Sequence, residues 1–206
     1  MYFDRKCKIT FICHGSTIFS EEGRFSDMEN HPPINENGVE EIERLCEYLK
    51  KRKVKNDVIY SSSAMRCIQT AKYISKVYKK IFEVIDLKPR NCGGFSGLTF
   101  ENIETNFPDK LKTFIEKPDI ATPEDAECVK DFVKRVSKSI EEIVKMNEGN
   151  RIIIVTHPDV IKAAICSAIS VPLKSFHRIY IKTGSATQIS YFKDWKSLIY
   201  SDYTPI

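Results

Sequence analysis

Three residues of this chain combine reactive side chains with positions at the ends of apolar runs: His14, Arg66 and His157. His14 follows Lys8-Ile9-Thr10-Phe11-Ile12-Cys13 and precedes Gly15, Ser16 and Thr17. A run so rich in Ile, Phe and Thr predicts a buried strand that delivers the histidine to its C-terminal tip. In an open α/β sheet that tip is where ligands bind. Gly15 permits a sharp turn and a close backbone approach, and the neighbouring hydroxyls and amides suit an anion. A strand-end histidine can equally be held by a neighbouring carbonyl. Two imidazoles and a guanidinium gathered at one sheet edge suit a phosphate. Neutral imidazole, with an ordinary pKa of about 6.5, is a nucleophile toward phosphorus, and arginine offers bidentate bonds to phosphoryl oxygens. A second histidine, if cationic, stabilises charge during transfer.

The elements that must position these residues read as alternating strands and helices. After the opening strand, residues 16–34 carry Gly, Ser, Asn and Pro32-Pro33, a long surface loop. Val39, Ile42, Leu45 and Leu49 recur at helical spacing and predict a helix over 37–53. A short strand at 57–60 leads to Ser61-Ser62-Ser63, where Ser62 or Ser63 is the natural N-cap of a second helix that places Arg66 in its first turn. A third strand is predicted over 81–87, then a Gly-rich loop over 89–97 and short helices over 100–107 and 109–116. The longest helix is predicted over 123–146, with Glu148-Gly149-Asn150 closing it. The β-branched run 151–156 reads as a strand buried on both faces, ending at His157 and followed by a helix over 158–170. Late strands are predicted at 179–181, 186–192 and 198–200, and the segment 195–206 reads as an edge strand or a subunit contact. The pattern predicts one domain over 1–206, a three-layer α/β/α fold with a mostly parallel sheet.

Composition narrows the functional classes. The chain has 206 residues, 42% hydrophobic and 29% charged, with a formal net charge of +4. These values describe a globular domain rather than a disordered or membrane chain. Lysines are spread among almost as many acids, so no basic stripe points to nucleic acid. The start Met1-Tyr2-Phe3-Asp4-Arg5-Lys6 has no apolar signal core and no later segment is a membrane span, so a cytoplasmic location is expected. Seven cysteines form no Cys-x-x-Cys pair, so neither a disulfide framework nor a zinc site is indicated; reduced, buried thiols are expected. No cofactor or metal is implied, and nothing in the sequence sets an oligomeric state.

Several segments resemble the histidine phosphatase superfamily, the group that includes cofactor-dependent phosphoglycerate mutase and broad phosphomonoesterases. Phe11-Ile12-Cys13-His14-Gly15-Ser16-Thr17 resembles its opening Arg-His-Gly motif, and Gly23-Arg24-Phe25-Ser26 falls at its next loop signature. The segment from Tyr60-Ser61-Ser62-Ser63-Ala64-Met65-Arg66 to Ala71 is similar to its strand-to-helix motif. Cys92-Gly93-Gly94-Phe95-Ser96-Gly97-Leu98-Thr99 resembles the loop after the third strand; Glu127, Asp131 and Arg135-Val136 keep the spacing of its long helix, and Val155-Thr156-His157 resembles its second histidine motif. The resemblance implies a phosphoglycerate mutase-like fold, a phosphohistidine on His14, and Arg66 and His157 holding the phosphoryl group of a small phosphorylated molecule. It implies substrate contacts at Cys13, Ser20, Ser26 and Arg90.

Two positions depart from the family pattern. Cys13 stands where the family has a second phosphate-binding arginine, and Pro89 where it has a general-acid glutamate. Loss of a transition-state contact costs roughly a hundredfold to a thousandfold in rate. Loss of general acid catalysis costs roughly another hundredfold, less for a good leaving group such as a nitrophenolate. Asp159 is a candidate replacement acid, and Glu22, Glu36 and Glu101 lie in or beside the loops over the site. Cys13 lacks the downstream arginine of a cysteine phosphatase and reads as a small side chain filling a strand end. The expectation is a phosphatase of reduced efficiency acting on a small phosphomonoester, such as a sugar phosphate, a nucleotide-like phosphate or α-ribazole phosphate. The alternatives are an inactive relative that binds a phosphorylated ligand, and a phosphoglycerate mutase, which needs the full arginine set.

Overall fold

The computed structural model describes residues 5–205; positions 1–4 and 206, in the opening and closing segments discussed above, lie outside the described residues. Along the chain come β1 (Arg5–Cys13), α1 (Ile18–Glu21), α2 (Glu36–Lys51), β2 (Val58–Ser62), α3 (Met65–Tyr78) and β3 (Glu83–Ile85). Then follow α4 (Phe100–Asn106), α5 (Pro108–Glu116), α6 (Val129–Met146), β4 (Arg151–Thr156), α7 (Pro158–Ile169), β5 (Ala186–Phe192) and β6 (Lys196–Tyr203). The strands form one sheet in the order β3-β2-β4-β1-β5-β6. The first four run parallel, and β5 and β6 continue the sheet antiparallel.

Strand β4 decides the layering, because its side chains alternate between two apolar cores. Ile152 and Ile154 pack with α6 and α7, whereas Ile153 and Val155 pack with α2 and α3. Fully burying an Ile or Val contributes roughly 1.5–3 kcal/mol, so this strand draws helices to both faces. The three-layer, mostly parallel fold read from the sequence is the one observed. A third core, Cys92, Phe95, Ile103, Leu111 and Phe114, joins α4 and α5 into a cap. The loop after α1 is stitched to this cap by Phe25 N–H to the Leu98 carbonyl (2.9 Å) and Gly97 N–H to the Phe25 carbonyl (2.9 Å).

Several expected boundaries move. The loop predicted over 16–34 contains α1, capped reciprocally by Thr17 and Ser20. Helix α3 begins from Ala64, with no side-chain cap, rather than from Ser62 or Ser63. Helix α6 starts at Val129, with the Cys128 side chain as cap, not at 123. The reason is tertiary: Glu127 N–H donates to the Asn91 carbonyl (3.0 Å), drawing the preceding segment onto the 90s loop. Asn147, not Glu148-Gly149-Asn150, is the C-cap of α6. The third strand shortens to β3, and 179–181 follows a 3-10 turn, Leu173–Arg178, without joining the sheet. Within 195–206 the edge-strand alternative is realised as β6. All seven cysteines are buried free thiols, as expected. No described helix is long and apolar enough to cross a membrane.

Two glycines allow the loop after β1 to touch helix α2 backbone to backbone. A Cβ on Gly15 would stand 2.5 Å from the Gly38 carbonyl oxygen, and one on Gly38 would stand 2.3 Å from that of Ser16. Neither obstacle is the end of a flexible side chain, so a methyl group must push the backbones apart. Gly38→Ala is expected to destabilise the protein by about 1–3 kcal/mol, measured as a lower urea midpoint at unchanged slope.

Candidate active site

His14 continues the β1 ladder one residue past the strand: its N–H donates to the Thr156 carbonyl (3.0 Å) and its carbonyl accepts from Gly184 N–H (3.0 Å). Its side chain is 5% exposed. Nδ1 lies 2.9 Å from the Gly15 carbonyl, an acceptor only, so Nδ1 carries the proton and Nε2 keeps its lone pair. The loop that follows is held by Glu41 of α2, whose carboxylate accepts from Ser16 N–H (2.9 Å), Ser16 Oγ (2.8 Å) and Thr183 Oγ1 (2.9 Å). Glu41 escaped the sequence reading because nothing in sequence distinguishes it from the other acids of that helix.

His157 is the extended residue between β4 and α7 (φ −112°, ψ 156°), with Pro158 at the first helical position. Proline disfavours a helical conformation in the residue before it, and its own φ suits a helix start, so the strand ends at the histidine. Arg66 Nη2 donates to His157 Nδ1 (3.0 Å), which leaves Nε2–H facing Ser62 Oγ (2.9 Å). Ser62 therefore serves His157 and is not free to cap α3. The two imidazoles lie 5.5 Å apart, edge to face.

Arg66 is the most unusual member of the group. It is 1% exposed, yet among the described residues no carboxylate makes an ion pair with it. Its Nη1 reaches the Asp27 carbonyl at 3.5 Å, and its Nε has no hydrogen-bond partner. Its buried positive charge acts on both neighbours. Burial first, then Arg66, lowers the His14 pKa to about 3. Burial, then Arg66, then His14 holds His157 well below the ordinary histidine range. Both rings are thus neutral near neutral pH, so in the ligand-free site His157 orients Arg66 rather than supplying the positive charge entertained above.

These three residues open on a cavity of about 350 Å³ whose lining includes Ser20, Ser26, Pro89, Arg90 and Asp159. Ser20 Oγ is engaged with Thr17 and Ser26 Oγ with the Asn30 carbonyl, so both stand at the wall with their hydroxyls already bonded. Arg90, 3% exposed, is paired to Asp159 (Nε to Oδ2, 3.3 Å) and lies over the Phe114 ring. Cys13 is the expected contact that the structure does not bring to the cavity. It is fully buried in the core with Cys7, Ile9 and Phe11, and burial raises its thiol pKa well above the ordinary value. The alternation of β1 sends odd-numbered side chains to the α6–α7 face, which is the physical reason.

Pro89 walls the cavity, and its carbonyl accepts from Arg135 Nη2 (2.9 Å). Arg135 is in turn paired with Glu127 at 2.6 and 3.0 Å, so the residues that share the family's helix spacing pin the loop bearing Pro89. Asp159 lines the cavity, but burial, which alone would raise its pKa, is outweighed by Lys162 and Arg90, which hold it far below the carboxylate range. It is an anion bridging two cations, not a stored proton. Glu22, Glu36 and Glu101 do not line this cavity. A larger cavity of about 540 Å³ adjoins through Ser20, Pro158, Tyr180 and Thr183, without His14, Arg66 or His157.

Residues 9–201 match the Histidine phosphatase superfamily (branch 1), and the chain belongs to that family. It is 29% identical over 159 residues to the metal-independent phosphoserine phosphatase of Arabidopsis thaliana, covering 76% of this chain and 66% of that protein. It is 25% identical over 172 residues to phosphoserine phosphatase 1 of Hydrogenobacter thermophilus, 82% of this chain and 79% of that one. Its fold matches the phosphoserine phosphatase of Entamoeba histolytica in complex with 3-phosphoglyceric acid at a TM-score of 0.85 and 22% identity, over 96% of this chain and 98% of that chain. The phosphoglycerate mutase-like fold expected from the motifs is therefore the fold of this protein.

The neutral histidines tie stability to pH with a definite sign. A histidine whose pKa is depressed in the folded state takes up its proton only on unfolding, so stability falls as pH drops below about 6.5. For His14, with its pKa lowered to about 3, the loss at pH 5 is about 2 kcal/mol. Denaturation series between pH 7 and pH 5 should show a loss of at least this size, and His14→Gln should remove the share of His14 while that of His157 remains.

Proposed function

We propose that this protein is a phosphatase that hydrolyses a small phosphomonoester through a phosphohistidine on His14. The observation that carries this reading is Arg66, a buried guanidinium with an orphaned Nε, set beside two neutral imidazoles at the floor of an open cavity. A buried charge with no ion pair among the described residues is costly, and a dianionic phosphoryl group in the cavity supplies the opposite charge. With Arg66 on the equatorial oxygens, His14 Nε2 attacks phosphorus while Nδ1–H stays on the Gly15 carbonyl, which favours the imidazolium that forms. Water then cleaves the N–P bond. The substrate named for the two relatives, phosphoserine, is one member of this class.

The reaction is expected to be slow. Cys13 leaves the phosphate with one arginine from this group, and neither Pro89 nor the ionised Asp159 is a proton donor. A mutase is disfavoured for the same reason, since it must retain a second phosphate. The ion-paired Asp159 favours one other reading, a family member that binds a phosphorylated ligand without turning it over.

Binding and turnover are separately measurable. Inorganic phosphate at a hundred times its dissociation constant should stabilise the wild type by about 2.7 kcal/mol, read as a rise in Tm, and should not stabilise Arg66→Met. Nitrophenyl phosphate should be hydrolysed by the wild type and not by His14→Ala, with phosphohistidine detected only in the wild type. Stabilisation without either of these signals would establish the binding protein instead.

A further inference from the structure

Transfer to His14 ends with a P–O bond breaking, and the departing oxygen needs either a proton or its own stability as an anion. Among the described residues that line the cavity, no carboxyl group is free to give a proton, and the Tyr180 hydroxyl stands only at the exposed rim. Asp159 is the one carboxylate among its described lining residues, and Lys162 Nζ (3.0 Å) and Arg90 Nε (3.3 Å) occupy its two oxygens. Lys162 could give up a proton only by leaving that carboxylate with a single partner. Guanidinium groups do not release protons. His157 has its Nε2–H on Ser62 and its Nδ1 on Arg66. Cys92, also in the wall, is pushed up to about 12 by burial. Pro89 has nothing to titrate.

The same wall has a second property. Phe100 stays 47% exposed although it lines the cavity, and it stacks on Phe25 at 5.5 Å and 29°. Tyr180, 73% exposed, stands at the rim. A planar aromatic group entering here extends an existing stack. Arg24, Arg66, Arg90 and Lys162 line the cavity against the single carboxylate, a positive environment in which an anionic leaving group is stabilised.

We infer that the substrates of this site are aryl phosphomonoesters, with the ring against Phe25 and Phe100 and the phenolic oxygen leaving unprotonated. The inference rests on the phosphatase reading above. In the first step the His14 Nε2 lone pair forms the N–P bond while the P–O bond breaks, its electrons leaving on the aryloxide, which takes a proton from solvent outside the site. In the second, water oxygen bonds to phosphorus, the N–P electrons return to Nε2, and the water proton passes to solvent.

The test compares kcat/KM for 4-nitrophenyl phosphate, phenyl phosphate and phosphoserine on the wild type, Pro89→Glu and Phe100→Ala. The wild type should favour phenyl phosphate over phosphoserine by ~100-fold or more, and Pro89→Glu should narrow that ratio by ~100-fold by providing the missing acid. Phe100→Ala should raise KM for phenyl phosphate by roughly two- to tenfold, the value of one aromatic contact, with little change for phosphoserine. Phosphoserine hydrolysed within about tenfold of phenyl phosphate by the wild type overturns the aryl assignment while the phosphatase reading stands. An unchanged KM in Phe100→Ala also overturns it. If no ester is turned over and none phosphorylates His14, it is the phosphatase reading that fails.

Discussion

The structure depends on a buried positive charge that no carboxylate among the described residues pairs directly, Asp27 acting on it only at longer range. Taking a guanidinium out of water carries an effective penalty of several kcal/mol, normally offset by a carboxylate with good geometry. Arg66 has instead one imidazole nitrogen and a distant carbonyl. The layered cores on either side of β4 supply the stability that holds it there. Much of the local chemistry follows from this charge. It helps keep both histidines neutral, it fixes the tautomer of His157, and it leaves one donor, Nε, without a partner.

The other cations around the cavity are treated in the opposite way. Arg90 and Lys162 share Asp159, Arg135 grips Glu127 and the Pro89 carbonyl, and Arg24 pairs with Glu22. These pairs set the shape of the wall. Their charges still raise the potential of the cavity, but their geometry is committed. Among the described cations lining the cavity, only Arg66 combines deep burial with an unsatisfied donor.

Cys13 and Pro89 are the two positions at which the motif resemblance breaks, and the structure gives each a different place. Cys13 belongs to the core: strand alternation points it toward α6 and α7, and the site closes over without it. Pro89 belongs to the cavity wall, its carbonyl held by Arg135, and in the proposed reaction its lack of a titratable group bears on the leaving oxygen. In the proposed reaction the first change weakens the hold on phosphate, and the second changes which esters react.

Much was determined by the sequence alone. Apolar runs of period two and apolar stripes near period 3.6 place the strands and helices, because burial acts on every turn and every pleat alike. Runs that end in His14 and His157, and a helix that opens with Arg66, place three reactive groups at strand tips, and parallel packing brings such tips together. What only the tertiary structure decided is how each polar group is matched. Ser62 serves His157 instead of capping α3; Asp159 is an ion-paired anion and not a proton donor; Glu41 holds the loop after β1; Arg66 makes no ion pair with a described carboxylate. These outcomes rest on single hydrogen bonds between residues far apart in the chain, which leave no periodic trace in sequence. Local periodicity reports which face is buried. Which donor meets which acceptor depends on distances that exist only once the chain has folded.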